Sequence, residues 1–262
     1  MFIDTHCHIH HPEFDTDRAE VIQHAVDSGI EKMIVVGTDL LSSQRAVSLS
    51  EKYPFLFATV GLHPHDAERL NESLLADLET LSHHPKVVGI GETGLDFYYN
   101  HASREAQLQA FSAQIALAVK RRLPLVIHTR DAWEVSFQII EKIDLGYLQE
   151  VGSVFHCFTG NHEIATRATQ MGLSVSFSGI VTFPKTASLQ EAASLVDSRF
   201  LLIETDAPFL SPQGYRGKRN EPSYLTVTAE KVAGLRGCSI EALSETTTLN
   251  ADRLFKLPKQ PP

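Results

Sequence analysis

The stretch MFIDTHCHIH places Asp4, His6 and His8 two residues apart, so on an extended strand all three side chains would point to one face. A carboxylate and two imidazoles within a few ångströms of each other are the side-chain types that grip divalent cations. More residues of these types follow at intervals: His63, Glu92, His128, His156 and Asp206 each end a short run rich in Val, Ile, Leu or Phe. A lone histidine at a strand end is more often a hydrogen-bonded rim residue than a ligand. The repetition at one end of successive runs changes that reading. Four imidazoles and two carboxylates on one rim would be costly to hold together without positive charge, which divalent metals supply. The number of donors suits two ions, spaced to serve the attacking and leaving oxygens of a displacement.

Eight apolar runs must bring these residues together: 2–6, 32–37, 56–63, 86–92, 124–129, 153–158, 173–178 and 200–206. Between them lie stretches such as DTDRAEVIQHAVDSG, SREAQLQAFSAQIALAVKRR and NHEIATRATQMG, with apolar residues three and four apart, two of which stop at Gly29 or Gly172. The alternation is strand, helix, strand. Runs that are almost continuously apolar belong to strands covered on both faces, as in a parallel sheet sheathed by helices. Eight such units predict a (β/α)8 TIM barrel in a single domain, 1–262, whose catalytic groups sit at the carboxyl ends of the strands. The rival, an open doubly wound sheet, would want a Gly-rich phosphate turn after an early strand, and neither GxGxxG nor a Walker pattern occurs.

Composition narrows the class. A chain of 262 residues with 43% hydrophobic content can bury a full core, and no linker or low-complexity run divides it. No run approaches the roughly eighteen apolar residues of a membrane span, and Asp4 comes too early for a secretory leader, so a cytoplasmic setting is expected. Cys7, Cys157 and Cys238, an odd number without CxxC spacing, read as reduced thiols. The net charge of −9 is a poor balance for wrapping duplex nucleic acid by phosphate neutralisation. An anionic substrate would need local positive charge. The longest irregular segment, 207–223, follows the eighth run and carries Arg216, Lys218 and Arg219, which could supply it over the barrel mouth.

In this order, DTHCH, GLHPH, GETGLDFYYN, VIHTRDA, FHCFTG, FSGIVTF and ETDAPFL span nearly the whole chain and resemble the TatD family of metal-dependent deoxyribonucleases within the amidohydrolase superfamily. The resemblance implies a (β/α)8 barrel with a pair of divalent metals and hydrolytic attack on DNA, often as an exonuclease. Matched to the family motif, His6, His8, Glu92, His128, His156 and Asp206 become the metal ligands. Glu92 would bridge the pair where many superfamily relatives use a modified lysine. His128 and His156 would hold one ion, and Asp206 the other while accepting a proton from the attacking water. Nitrogen-rich ligation favours Zn, Mn or Fe, while carboxylates and phosphate oxygens admit Mg.

Other residues have two uses open. Asp4 is expected behind the ligands, as an acceptor orienting an imidazole, or as a satisfied buried carboxylate. Glu204, two before Asp206, could position the water or serve inside the barrel. His63 could touch a substrate phosphate or stabilise the rim beside His65. Phe97, Tyr98 and Tyr99 could stack on bases or pack their own loop, and Arg216 and Lys218 could meet phosphate. Cys7 and Cys157 are expected to pack beneath the outer helices. Asp131, three before Glu134, reads as a helix N-cap, and Arg130 has no assigned role. The expected activity is two-metal cleavage of DNA phosphodiester bonds at single-stranded or frayed ends. The alternative is hydrolysis of a carboxylic ester or amide, such as an aminoacyl-tRNA ester, since the same chemistry attacks carbonyl carbon. A binding protein without turnover is the rival outside enzymes, and an intact Asp206 argues against it.

Overall fold

Each of the eight apolar runs forms a strand: β1 (Phe2–Cys7), β2 (Ile30–Val36), β3 (Leu56–Val60), β4 (Val87–Asp96), β5 (Leu125–Arg130), β6 (Ser153–Phe155), β7 (Leu173–Phe177) and β8 (Leu201–Ile203). The structure, a computed structural model, describes residues 1–99, 101–143 and 145–258. Asn100, Asp144 and 259–262, which the single-domain expectation includes, lie outside the described residues. Every strand pairs in parallel with its successor, in the order β1 to β8. At the carboxyl end the ring is drawn shut by Asp206 N–H donating to the His6 carbonyl at 2.8 Å and His8 N–H to the Ala207 carbonyl at 2.7 Å.

The helices are α1 (Arg18–Asp27), α2 (Leu40–Lys52), α3 (Glu72–Leu81), α4 (Arg104–Arg121), α5 (Trp133–Ile140), α6 (Leu145–Val151), α7 (His162–Gln170), α8 (Ala187–Leu195), α9 (Leu225–Arg236) and α10 (Ile240–Phe255). Side-chain caps start five of them. Asp39, Asn71, Ser103, Asn161 and Ser239 each accept from a backbone N–H of the first turn. Together with the strands they define the expected single-domain (β/α)8 barrel.

Two apolar layers hold it. The larger lies between strands and helices and includes Cys7, Val35, Ile90, Ile127, Phe155 and Phe177. The smaller fills the amino half of the barrel interior, where Ile3, Ile34, Val36, Phe57, Val88, Val126, Val154 and Leu202 meet Ala251, Leu254 and Phe255 of α10. That helix therefore closes the bottom, and Lys32 pairs with its Asp252 at 2.6 Å. The carboxyl end is left to polar side chains.

The strand ends differ from the sequence expectation in both directions. β4 runs on to Asp96, four residues past Glu92, whereas β6 and β8 stop at Phe155 and Ile203. His156, Glu204 and Asp206 thus stand on the turns that follow, because Cys157 (φ +42°) and Asp206 (φ +59°) take left-handed conformations that swing the chain off the sheet. A third such residue, Asp131 (φ +53°), corrects the expected cap: α5 is preceded by Ala132, with no side-chain cap.

Candidate metal centre

Glu92 lies at the middle of the mouth, with its two oxygens turned toward different histidines. Oε1 is 2.8 Å from His156 Nε2, 3.0 Å from His128 Nδ1 and 3.2 Å from His63 Nε2. Oε2 is 3.5 Å from His6 Nε2 and 3.8 Å from His8 Nε2. Asp206 faces the latter pair, its Oδ1 3.6 Å from His6 Nε2 and 3.4 Å from His8 Nε2. The six ligands expected from the family motif are thus brought together. Their donor atoms fall into overlapping groups, His6–His8–Glu92, His6–His156–Asp206 and His63–Glu92–His128, each close enough to share one cation.

Backbone geometry lets Glu92 reach this place. Gly91 and Gly94 flank it with φ near +140°, and a Cβ at either would collide with the neighbouring strand, on the carbonyl oxygen of Val126 or of His128. Only glycine lets β4 approach β5 this closely around the carboxylate.

Whether the cluster suits metal is decided by the far side of each ring. His8 Nδ1 donates to the Val36 carbonyl at 2.8 Å, and His128 Nε2 to Asp96 Oδ2 at 3.1 Å. His156 Nδ1 faces Glu204 Oε1 at 3.4 Å. A proton on the far nitrogens of His8 and His128 leaves each near nitrogen a lone pair, directed at carboxylate oxygens that also carry lone pairs. Acceptors facing acceptors in a buried site call for cations, and this donor set fits divalent metal. Protons are the only substitute the side chains themselves can offer. Burial alone would lower the His156 pKa, but Glu92 and Glu204 outweigh it and hold the imidazole well above its usual value. For Glu92 burial pushes upward, and His156, His63 and His128 override it to keep the carboxylate ionised.

His63 differs from the six expected ligands. Its Nδ1 accepts from the His65 N–H at 3.1 Å, so the neutral ring carries its proton on Nε2, the nitrogen facing Glu92. Burial lowers its pKa to about 4, which keeps the ring neutral near pH 7. In this tautomer His63 is a hydrogen-bond donor at the mouth and has no lone pair for a metal.

Asp96 was not singled out in the sequence, and it organises this side of the site. Its Oδ2 accepts from His128 Nε2 and from His65 Nε2 at 3.0 Å, and its Oδ1 from the N–H groups of Tyr98 and Tyr99 at 3.0 and 2.9 Å. Burial opposes ionisation, yet the two imidazoles and the backbone donors keep its carboxyl well below the usual range. A signal was present, since residues 92, 94 and 96 share a strand face, but the expected strand stopped at 92.

Asp4 orients no imidazole. Its carboxylate accepts from the N–H of His6 at 3.3 Å, the N–H of Thr205 at 3.0 Å and the Thr205 hydroxyl at 2.5 Å, tying the backbone of β1 to the turn that carries Asp206. Glu204, fully buried, accepts from Cys157 N–H at 2.6 Å and stands behind His156, away from the open face. Cys7 packs in the layer under the helices as expected, whereas Cys157 Sγ lies 3.4 Å from the Ser178 hydroxyl.

Of the residues expected to meet substrate, Tyr98 is 55% exposed and stacks on Arg130, whose guanidinium lies 3.9 Å from the ring centroid. Phe97 instead packs against the core under Arg104. Arg216 lies over the Phe183 ring and Lys218 beside Tyr215, and neither contacts the imidazole cluster. Arg219 is turned away, paired with Asp17 at 2.6 Å. The sequence reading overlooked Phe209, 46% exposed, whose ring lies edge-on to His8 and His11.

A parallel barrel with a His/Glu/Asp cluster of this kind at its carboxyl end defines a metal-dependent hydrolase. The profile of the family described as TatD related DNase matches residues 3–256, and the chain belongs to the TatD family. The metal-dependent hydrolase YabD of Bacillus subtilis (strain 168), named as uncharacterized, is 42% identical over 257 residues, covering 98% of this chain and 100% of the relative. A relative from Erwinia billingiae (strain Eb661), named 3'-5' ssDNA/RNA exonuclease TatD, is 38% identical over 253 residues, covering 94% and 95%. Among solved structures, the TatD homolog YJJV of Escherichia coli K12 superposes with a TM-score of 0.92 at 29% identity, covering 98% of both chains.

Proposed function

We propose that the protein uses two divalent metal ions to hydrolyse DNA phosphodiester bonds, working inward from a single-stranded or frayed end. The observation that supports a pair of ions is Glu92, whose two oxygens face separate imidazole groups, His128 and His156 on one side and His6 and His8 on the other. His6, His8 and Asp206 would hold one ion and His128 and His156 the other, with Glu92 shared. Bound there, divalent cations make a water acidic enough to attack near neutral pH and offset charge gathering on the phosphoryl oxygens. Asp206, partly open to the mouth, takes up the proton of the attacking water at its carboxylate. Asp96 and the Val36 carbonyl fix the tautomers of His128 and His8, and Glu204 stands 3.4 Å behind His156 Nδ1, so the reacting geometry is set before substrate arrives. His63 offers its Nε2–H to an oxygen of the bound phosphate.

The exonuclease named TatD, matching over 94% of this chain, supports a single-stranded substrate, and its name includes RNA. Tyr98, Tyr99 and Phe209 are the exposed aromatics beside the centre on which bases would stack. The described cysteines are all free thiols, in keeping with a reducing, cytoplasmic setting. The test is a panel of Mg, Mn and Zn against a linear single strand and an aminoacyl ester, with elemental analysis of the protein as isolated. Two equivalents of metal and release of nucleotides are expected. Brisk ester hydrolysis without nucleotide release would replace this reading.

A further inference from the structure

A cavity of about 280 Å³ opens on the flank of the barrel between helix α2 and the segment that follows β1. Arg45, Ser48, Leu49 and Lys52 line it from α2, at the spacing that puts four residues on one helical stripe. Opposite them stand His10, Asp15 and Arg18. Arg18 is held in place: its Nε donates to the Ile9 carbonyl at 2.8 Å, its Nη2 to the His10 and His11 carbonyls, and it pairs with the Asp15 carboxylate. The one carboxylate of the lining is therefore already neutralised. Arg45 and Lys52 have no ion-pair partner among the described residues. His10 is only 6% exposed, and its Nδ1 has no hydrogen-bond partner there.

In a chain of net charge −9, two unpaired cations lining one cavity leave a local surplus of positive charge, and the buried His10 in the same wall carries a ring nitrogen without a partner. The volume is that of several waters at roughly 30 Å³ each, enough for a tetrahedral oxyanion with part of its solvent. Its position is also informative. The His10 ring centroid is 5.9 Å from that of His8, so the cavity adjoins the metal centre without sharing its ligands.

We propose that this cavity is a phosphate-binding subsite, in which Arg45 and Lys52 neutralise a phosphate group and His10 makes the buried hydrogen bond to it. Two sources share that chemistry: a second phosphate of the strand being degraded, or a free phosphate such as the released nucleotide carries. Guanidinium and ammonium two helical turns apart, lining one cavity, suit a dianion better than a carboxylate, since several oxygens can be met at once.

The experiment follows the ring nitrogens of histidine in the full-length, Mg-loaded, 15N-labelled protein as inorganic phosphate is added. His10 signals should titrate to saturation. In Arg45→Ala/Lys52→Ala, whose exposed helical positions tolerate alanine, affinity should fall by about tenfold or more. Arg45→Lys, which keeps the charge, should retain most of it. Absence of a saturable His10 response, or an unchanged response in the double variant, overturns the proposal. Kinetics then assigns the source. A raised KM for a linear strand with unchanged turnover of a small phosphodiester assigns the strand's own phosphate. An unchanged KM with relief of inhibition by inorganic phosphate assigns the free anion. The titration reads binding without turnover, so its outcome stands apart from that of the nuclease reading.

Discussion

Replacing the Glu92 carboxylate by an amide would remove one negative charge from a position that faces nitrogens of His6, His8, His63, His128 and His156. Glu92→Gln keeps the shape and should lose paired metal occupancy, measured by elemental analysis, with a fall in rate of at least about a hundredfold. His65→Ala should do far less, because the half-buried His65 ring touches the rim at Asp96 and His63 and is not one of the six expected ligands. Equal losses at the two positions would overturn the ranking of ligand over rim residue. Asp96→Asn is the intermediate case: His128 keeps its place but loses the acceptor that fixes its tautomer, so metal affinity should drop by about tenfold to a hundredfold while thermal stability changes little. That imidazoles and carboxylates gather at one mouth was legible in the sequence because they recur after apolar runs, and the family motif named the six expected as ligands. Asp96, Asp4 and Phe209 were harder to read, since their roles depend on which backbone N–H or ring comes to lie beside them, and that is settled only by packing.

Strand and helix identities were legible for a different reason: burial on both faces makes a strand's run almost continuously apolar, and the eight runs stand out from the helical periodicity between them. The ends were not. Cys157, Asp206 and Asp131 are left-handed without being glycine, so nothing in the sequence marks the places where the chain leaves the sheet. Glycines do mark close approaches, and two substitutions separate that role from mere permissiveness. Gly94→Ala places a methyl group on the His128 carbonyl at a φ of +139°, which should cost about 2–4 kcal/mol or prevent folding, because β4 and β5 cannot part without moving Glu92 and His128. Gly234 is exposed in α9, and a Cβ there meets nothing within 4 Å. Gly234→Ala should stabilise by about 0.5–1 kcal/mol. Denaturant midpoints of the two variants, moving in opposite directions from wild type, are the check; a midpoint of Gly94→Ala that does not fall would show that the barrel does not need glycine at β4.

At the scale of the whole molecule, apolar core and metal centre occupy opposite ends of one barrel. The interior from Ile3 to Leu202, plugged by Leu254 and Phe255, owes nothing to metal. Chelation should therefore abolish hydrolysis while leaving the far-ultraviolet circular dichroism of the folded chain in place. On the proposed reading, charge distribution bears on how substrate arrives. A net charge of −9 disfavours clasping duplex along a groove, and the features that would attract a strand to a recessed centre are Arg130 stacked under Tyr98, Phe209 beside His8, and Arg216 on the loop after β8. Flexible single strand can bend into such a recess with its bases on the aromatic rings, whereas rigid duplex has to open first. Arg216 sits over Phe183 and touches none of the ligands, so Arg216→Ala should raise KM for a linear strand and leave kcat within about twofold. The decisive comparison is a linear single strand against a covalently closed circle of the same sequence, in the same salt and metal. A chain that feeds a free end across Glu92 and Asp206 should degrade the linear strand and spare the circle; equal cleavage of the circle would sink entry by the end.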